Sequence, residues 1–299
     1  MEPLDFQKQA LNEIVARARA FFAFQQGAFR DIPILPTWAT ILIAPTGVGK
    51  TTTATLVSLD PAVCARLIRV SAPSYMPCGA NNRGTKETIT VIAEHIAKHD
   101  RTLLVIDEID KINDTENAWQ GYIRNELYDL IGGCFPTGLN LPDIDDCPNI
   151  TIDVLTEKLR QTVFFLAIGT FQKWFDSNHT RRTIGFGGET DSENDEITAD
   201  IIAQNLPREL INRFGKIVRL PELRETDYHQ IAKEAEAKLP EWMQKHFRVE
   251  VSQRIATAIL EKKGVRFLEE AVTAILVNLT QEPSINAPEK FTKNPECTL

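Results

Sequence analysis

The residues best suited to chemistry lie in a glycine-rich turn that directly follows an apolar segment. Residues 40–53 read TILIAPTGVGKTTT, a predicted strand, a turn, and a predicted helix that opens at Lys50. Glycines let successive backbone N–H groups close around phosphate oxygens at the positive end of the following helix. Lys50 would reach the β- and γ-phosphates, and the Thr51 hydroxyl would ligate Mg²⁺. The predicted nucleotide-binding residues of this segment are Pro45, Thr46, Gly47, Val48, Gly49, Lys50, Thr51 and Thr52.

A second candidate group lies at residues 102–112, which read TLLVIDEIDKI. An apolar strand delivers Asp107 to the carboxyl edge of a sheet, where its carboxylate can hold the hydration shell of Mg²⁺. Glu108 is then placed to polarise an attacking water as a general base. Together with the glycine-rich turn, this pair predicts a Mg²⁺-dependent ATPase that binds ATP and hydrolyses it to ADP and phosphate. Thr51 and Asp107 are the predicted metal ligands.

Short apolar runs alternate with helical patterns through the first two thirds of the chain. Apolar strands that alternate with helices favour a parallel sheet covered on both faces. The predicted strands are 40–45, 67–72, 102–107, 163–169 and 216–220, and the predicted helices between and before them are 6–25, 50–58, 86–98 and 117–131. The sequence therefore predicts an α/β fold in which the glycine-rich turn joins a strand of the sheet to a helix.

After Pro221 the pattern becomes helical only. The predicted helices in this region are 226–246, 252–262 and 266–280. The change in pattern predicts a large α/β ATPase domain over residues 1–222 and a small helical domain over residues 223–280. Residues 281–299 are rich in proline and polar residues, which is typical of a flexible tail.

Composition narrows the class of protein. The 299 residues carry a net charge of -8, which argues against a broadly basic nucleic-acid surface but is compatible with a local basic site. Five cysteines without a C-x-x-C pair favour reduced thiols and give no zinc framework. No signal pattern and no apolar run of membrane-spanning length is present, so we expect a soluble cytoplasmic protein. His95 and His99 lack a third metal ligand, so we expect them on a solvated helix face.

At DEIDK the chain resembles the AAA+ ATPases, and it is similar to the ClpX and HslU branch in particular. FQKQAL near the start and LPRELINRFGKIV at 206–218 resemble segments that open and close the large domain of that family. The resemblance implies a ring, expected to be a homohexamer, in which Arg213 contacts the ATP of the neighbouring subunit. It also implies that Arg266, in KKGVRFLEE, is the second sensor and that Thr170, just past VFFLAIG, is the first sensor.

The chain departs from the ClpX pattern in three places. It begins almost directly at the ATPase module, so the N-terminal zinc-binding domain is not expected. The substrate-gripping loop reads CGANNRG, with Asn82 and Arg83 where an aromatic and an aliphatic residue are expected. Tyr75 and Met76 lie nearby and would substitute for them only if the loop is rearranged. Residues 134–153 lack the basic character of the second pore loop. Asn and Arg suit a polar or phosphate-bearing strand better than an unfolded polypeptide.

The segment RRTIGFGGE at 181–189 carries two large apolar residues among glycines. In ClpX, a loop at the same place presents an Ile-Gly-Phe tripeptide to hydrophobic pockets on the ClpP peptidase ring. Ile184, Gly185 and Phe186 match that tripeptide, so the resemblance implies a ClpP-like partner ring. The alternative is that Ile184 and Phe186 pack against their own subunit.

Three functions remain open at this point. The leading hypothesis is a ring-forming, ClpX-like motor that remodels or unfolds protein substrates. The first alternative is an AAA+ ATPase of transposition or defence-like systems, whose central loops bind nucleic acid, with Arg83 on the phosphates. The second is an ATP-dependent assembly switch that threads nothing.

Overall fold

The computed structural model describes the chain in segments, and all structural statements below refer to them. These segments are residues 3–27, 36–80, 86–113, 120–136, 139, 150–171 and 206–281. Asn82, Arg83 and the Ile184-Gly185-Phe186 tripeptide lie outside the described residues. In the part of the chain that the structure describes, no helix combines the length and the apolar character needed to cross a membrane.

The described segments contain five parallel strands that form one sheet. The strands are β1 Thr40–Ile43, β2 Arg66–Ser71, β3 Thr102–Asp107, β4 Val163–Gly169 and β5 Lys216–Arg219, in the spatial order β2-β3-β4-β1-β5. Strands β1 and β4 are buried along their whole length, whereas β2, at the edge, has exposed positions. Fully apolar central strands are expected when helices cover both faces. The predicted α/β fold with a parallel sheet is confirmed.

Among the described residues, six helices flank this sheet. They are α1 Asp5–Gln25, α2 Lys50–Leu59, α3 Thr88–Lys98, α4 Gln120–Ile131, α5 Ile152–Thr162 and the short α6 Arg208–Ile211. Short 3-10 turns, Ala72–Ser74 and Ile109–Asn113, follow β2 and β3. The register pairs Ser71 with Asp107 and Ile43 with Gly169, so the strands end together at one edge. Side chains that follow these strand ends therefore lie close to one another.

Helix α5 is not among the helices that the sequence predicts. It begins at Ile152, at the end of the segment 134–153 that corresponds to a pore loop in the resemblance. The Thr151 side chain accepts a hydrogen bond from the Val154 N–H at 3.3 Å, which caps the helix. Leu155 and Leu159, four residues apart, are both buried and anchor one face of the helix in the core.

The chain divides into two compact units, and each unit is made of two separate stretches of sequence. One unit contains residues 1–45 and 50–220, and the other contains Thr46–Gly49 together with residues 221–299. The helices of the second unit are α7 Glu225–Lys238, α8 Glu241–Leu260 and α9 Arg266–Gln281. They surround a core that includes Tyr228, Phe247 and Phe267.

The helix boundaries in the second unit differ from those predicted. A single helix over 226–246 is wrong, because α7 ends at Lys238 and α8 begins after Pro240. Proline lacks a backbone N–H and its ring clashes with the preceding turn, so it is tolerated only at the start of a helix. The predicted helix 252–262 is the second half of α8.

Within the second unit, the glycine-rich turn packs directly on the loop that precedes α9. The Val265 N–H donates to the Gly47 carbonyl at 2.8 Å. A Cβ on Gly264 would lie 2.4 Å from the Gly47 oxygen, and Gly264 also has a φ of +64°. A side chain at position 264 would therefore be strained and would separate the two backbones. Both glycines are needed for this contact.

Candidate nucleotide site

The glycine-rich turn connects β1 to α2. Pro45 follows the strand, Thr46–Gly49 form the turn, and Lys50, Thr51 and Thr52 open the helix. Gly47 and Gly49 have φ angles of +81° and +84°, a region in which residues with a Cβ are strained. Ala44 stands where the phosphate-binding pattern G-x-x-x-x-G-K-[ST] has its first glycine. It is fully buried and is not among the described residues with a positive φ. An alanine is therefore tolerated at that position.

Lys50 is held at the base of the turn. Its Nζ donates to the Ala44 carbonyl at 2.8 Å and to the Pro45 carbonyl at 2.7 Å. These carbonyls keep the ammonium beside the backbone that the glycines shape. A positive charge next to a turn of this shape, at the start of a helix, suits an anionic phosphate.

Thr51 and Asp107 face each other at the carboxyl edge of the sheet. The Thr51 Oγ1 and the Asp107 Oδ2 lie 3.5 Å apart. The other Asp107 oxygen, Oδ1, accepts the Glu108 N–H at 2.9 Å, which fixes the orientation of the carboxylate. The Arg69 Nε lies 3.8 Å from Asp107 Oδ2. A hydroxyl and a carboxylate are the oxygen donors that Mg²⁺ prefers, so the residues present fit this cation.

Glu108 has an unusual backbone conformation. Its φ is +57°, which costs a residue with a side chain about 1 kcal/mol or more. The carboxylate forms an ion pair with Lys111 and accepts a hydrogen bond from the Ser71 hydroxyl at 3.3 Å. The hydrogen bond from Lys111 is the main cause that lowers the pKa of Glu108. The group is thus kept ionised, the form that can accept a proton.

Ser71 and Lys111 were not predicted as site residues. Ser71 ends β2 and pairs in register with Asp107, so the alignment of parallel strand ends is the signal that would have identified it. Lys111 is the last residue of the DEIDK stretch and lies three residues after Glu108. Residues three apart in a helical turn are neighbours on its surface, which explains the pair.

Thr170 forms hydrogen bonds with the segment that contains Asp107 and Glu108. Its Oγ1 donates to Asp110 Oδ2 at 2.7 Å, and its N–H donates to Asp110 Oδ1 at 3.1 Å. The Phe171 N–H also donates to Asp110, at 3.0 Å. A Cβ on Gly169 would come within 2.8 Å of Asp110, so glycine leaves room for this arrangement. Asp110, which the sequence analysis passed over, thus links the end of β4 to the turn after β3.

The two arginines implied by the resemblance lie in different units. Arg213 is exposed, and its described contacts are with α4: Nη1 donates to the Tyr128 carbonyl at 3.0 Å. Arg266 is the first residue of α9. The Arg213 contacts do not include Lys50, Thr51, Asp107 or Glu108.

Tyr75 is buried in this structure, so it could grip a substrate only after the rearrangement that its suggested role in a pore loop requires. Only 5% of its surface is exposed. Its hydroxyl donates to Glu126 Oε2 at 3.0 Å, and the Cys78 N–H donates to Glu126 Oε1 at 2.6 Å. Burial raises the pKa of Glu126. Glu126 therefore ties the segment after β2 to α4.

We expect Glu126→Ala to lower the free energy of unfolding by about 2 to 4 kcal/mol, because the buried Tyr75 hydroxyl and the partly buried Cys78 N–H lose their acceptor. Glu126→Gln keeps the shape and one acceptor oxygen, and its cost is expected to be smaller. Thermal and urea unfolding followed by circular dichroism would measure both. Equal stability of the alanine and glutamine variants would contradict the stabilising role of the hydrogen bonds that Glu126 accepts from Tyr75 and Cys78.

His95 and His99 do not form part of a metal centre in the described region. Their rings lie 4.5 Å apart, and His95 is partly buried rather than fully solvated. Burial lowers the pKa of His95. Among the described residues, no group of three or more His, Cys, Asp or Glu side chains is arranged to hold a metal ion.

One comparison with known proteins bears on this site. Residues 40–182 match the family described as "ATPase family associated with various cellular activities (AAA)". The matched span begins at β1 and includes the glycine-rich turn, Asp107, Glu108 and Thr170. Nucleotide binding, typically of ATP with Mg²⁺, is implied by such a domain. The match over residues 40–182 therefore supports an ATPase of the AAA type.

Proposed function

We propose that the chain is a ring-forming ATPase motor of the ClpX-like type that remodels or unfolds protein substrates. The proposal of ATP hydrolysis rests on the proximity of Thr51, Asp107 and Glu108 at one edge of the sheet. The family match supports an ATPase motor in general. The ClpX-like character rests on the resemblance of the segments around Arg213, Arg266 and the Ile184-Gly185-Phe186 tripeptide.

Each residue of the site has a proposed task. Residues Pro45 to Thr52, in the turn and at the start of α2, hold the phosphates. Lys50 contacts the phosphates after it breaks its hydrogen bonds to the Ala44 and Pro45 carbonyls. Thr51 and Asp107 hold Mg²⁺, which when bound neutralises charge on the phosphates. Glu108 accepts a proton from the attacking water. Thr170, whose hydroxyl donates to Asp110, is proposed to be the first sensor.

The two arginines are proposed to couple hydrolysis to assembly and to nucleotide state. AAA proteins usually form rings, and an arginine supplied by a neighbouring subunit makes turnover depend on that ring. Arg213 is exposed, as such a role requires. Arg266, in the proposed helical domain over 223–280, would sense the γ-phosphate. The ratio of ATP to ADP affinities in an Arg266→Ala variant tests that role.

A protein substrate is favoured over nucleic acid by the charge of the chain. A net charge of -8 repels a polyanion unless a local basic site overcomes it. The nucleic-acid alternative depends on Arg83, and a pure assembly switch would need no substrate. A ClpP-like peptidase ring is the proposed partner of Ile184, Gly185 and Phe186, since several weak apolar contacts on a ring gain avidity.

The deciding experiment measures the ATPase rate alone and with an unfolded protein, with DNA and with RNA. Stimulation by the unfolded protein alone is expected. Stimulation by DNA or RNA that falls steeply with salt would favour the nucleic-acid alternative. A rate that depends on chain concentration but on none of the three would favour the assembly switch. A pull-down of a ClpP-like ring with the parent chain and with Phe186→Ala tests the partner separately.

A further inference from the structure

The exposed Arg213 side chain does not project freely; it rests on the C-terminal end of α4. Its Nη1 donates to the Tyr128 carbonyl at 3.0 Å, and its guanidinium carbon lies 5.5 Å from the centre of the Tyr128 ring. The first contact is a charge-assisted hydrogen bond and the second is a cation–π contact. We call Tyr128, which contacts this guanidinium, and Gly132, whose missing Cβ leaves space for it, the Arg213 cradle.

Gly132 provides the room for the guanidinium. A Cβ at this position would lie 2.6 Å from Arg213 Nη1 and 3.0 Å from the Tyr128 oxygen. Gly132 is not among the glycines with a positive φ, so backbone conformation does not explain why a glycine occupies this position. The space that the missing Cβ leaves for Arg213 does.

The end of α4 also attracts positive charge. The last carbonyls of a helix carry its negative dipole end, and arginines near them are stabilised. Arg160 uses the same end, since its Nε donates to the Gly133 carbonyl at 2.9 Å. Unlike Gly132, Gly133 has a φ of +76°, the left-handed conformation that commonly ends helices. The C-terminal end of α4 is thus capped by Arg213 and Arg160, and Gly132 and Gly133 provide the backbone and the space for them.

We propose that Tyr128 and Gly132 are positioning residues that orient Arg213 toward the nucleotide of the neighbouring subunit. This inference rests on the proposed function of Arg213 in a ring. A guanidinium has five N–H donors, so a single bond to a carbonyl occupies only one edge and leaves the exposed edge for a phosphate. The cradle fixes the rotamer of a long side chain before the ring forms, which reduces the entropy lost on contact.

Gly132→Ala tests the cradle because it displaces Arg213 without removing it. We expect kcat for ATP to fall about 10²-fold, the effect of misplacing a reacting group by roughly 1 Å. The affinity for a fluorescent ATP analogue is expected to stay parental, and assembly with a non-hydrolysable analogue should need a higher chain concentration. Gly121→Ala is the matched control, since it lies on the same helix and its added Cβ meets nothing within 4 Å. It should turn over ATP at the parental rate.

A mixing experiment separates positioning from a structural role. Glu108→Gln subunits carry an intact Arg213 but an inactive site, whereas Gly132→Ala subunits have the reverse defect. Equal random mixing should restore about a quarter of the parental rate, since one neighbour pairing in four combines an intact site with an intact cradle. Tyr128→Leu, which removes the ring but keeps the carbonyl, provides a second variant if Gly132→Ala fails to fold.

The outcomes distinguish the inference from the function on which it rests. If Arg213→Ala is inactive while Gly132→Ala and Tyr128→Leu are both fully active, the cradle is overturned and the ring function stands. Loss of activity in the cradle variants without recovery on mixing also overturns the positioning role. If Arg213→Ala itself keeps the parental rate, the proposed function of Arg213 fails and the cradle fails with it.

Discussion

The Glu108→Gln protein is expected to bind ATP with parental affinity and to hydrolyse it about 10² to 10⁴ times more slowly. A carboxamide has almost the same shape, so the contact with Ser71 can persist. It cannot accept the proton of the attacking water, and it loses the ion pair with Lys111. The measurement is phosphate release under saturating ATP together with equilibrium binding of a fluorescent analogue.

Glu94→Gln provides the matched control for that variant. Glu94 pairs with Lys86 at 2.8 Å on the surface, and removing an exposed pair changes little. Its ATPase rate should equal that of the parent. A Glu108→Gln protein that hydrolyses ATP at the parental rate would remove Glu108 from the catalytic role.

The lowered pKa of Glu108 has a consequence for the pH profile. A carboxyl whose pKa is depressed stays ionised as the pH falls through the ordinary range of a glutamic acid. Protonation of Glu108 should therefore not limit the rate until the pH is below that range. In Lys111→Met the main cause of the lowered pKa is gone, so the acid limb of the profile should move to higher pH.

Arg213→Ala is expected to lower ATP turnover by about 10³ to 10⁵, the range observed for arginines that stabilise the transition-state charge. Nucleotide affinity should be largely retained, because the described contacts of Arg213 are on α4. In the parent, the rate per chain should rise with chain concentration as rings form. Phosphate release measured across a dilution series, alongside sedimentation velocity, tests both statements.

Arg160→Ala is the control for the arginine at position 213. Arg160 also donates to a carbonyl at the end of α4, so it shares the capping role and lacks the proposed catalytic one. Its loss should reduce stability but leave turnover close to parental. If the two arginine variants lose turnover equally, the effect belongs to the helix terminus. A monomeric parent with full activity at every concentration would contradict the ring.

The parts of the fold that the sequence predicts well are those determined by local pattern. The strands TLLVID and VFFLAIG are buried, as expected for short apolar runs bounded by polar turns. The turn with Gly47 and Gly49 requires a backbone that only glycine adopts easily, so its conformation is written into the residue types.

What the sequence did not predict depends on contacts between distant residues. Tyr75 is an aromatic residue next to a loop, and its burial depends on the apolar core around its ring and on Glu126, 51 positions away, which accepts a hydrogen bond from its hydroxyl. The sequence does not distinguish Asp110 from the other acidic residues near it. Its role follows from the hydrogen bond that it accepts from Thr170, 60 positions later. Pro240 lies within a long helical pattern of apolar residues, and the pattern alone does not show that the proline separates two helices.

The contact of Gly47 with Gly264 and Val265 limits how the protein can be shortened. A fragment that stops after Leu220 would keep every strand and every helix of the first unit. It would nevertheless lose the N–H that donates to the Gly47 carbonyl, leaving that carbonyl to water and the Thr46–Gly49 turn without its packing partner. The smallest piece that preserves the turn in its present shape therefore extends through the start of α9. A graft of the phosphate-binding segment into another protein would likewise have to carry the Gly264 loop with it.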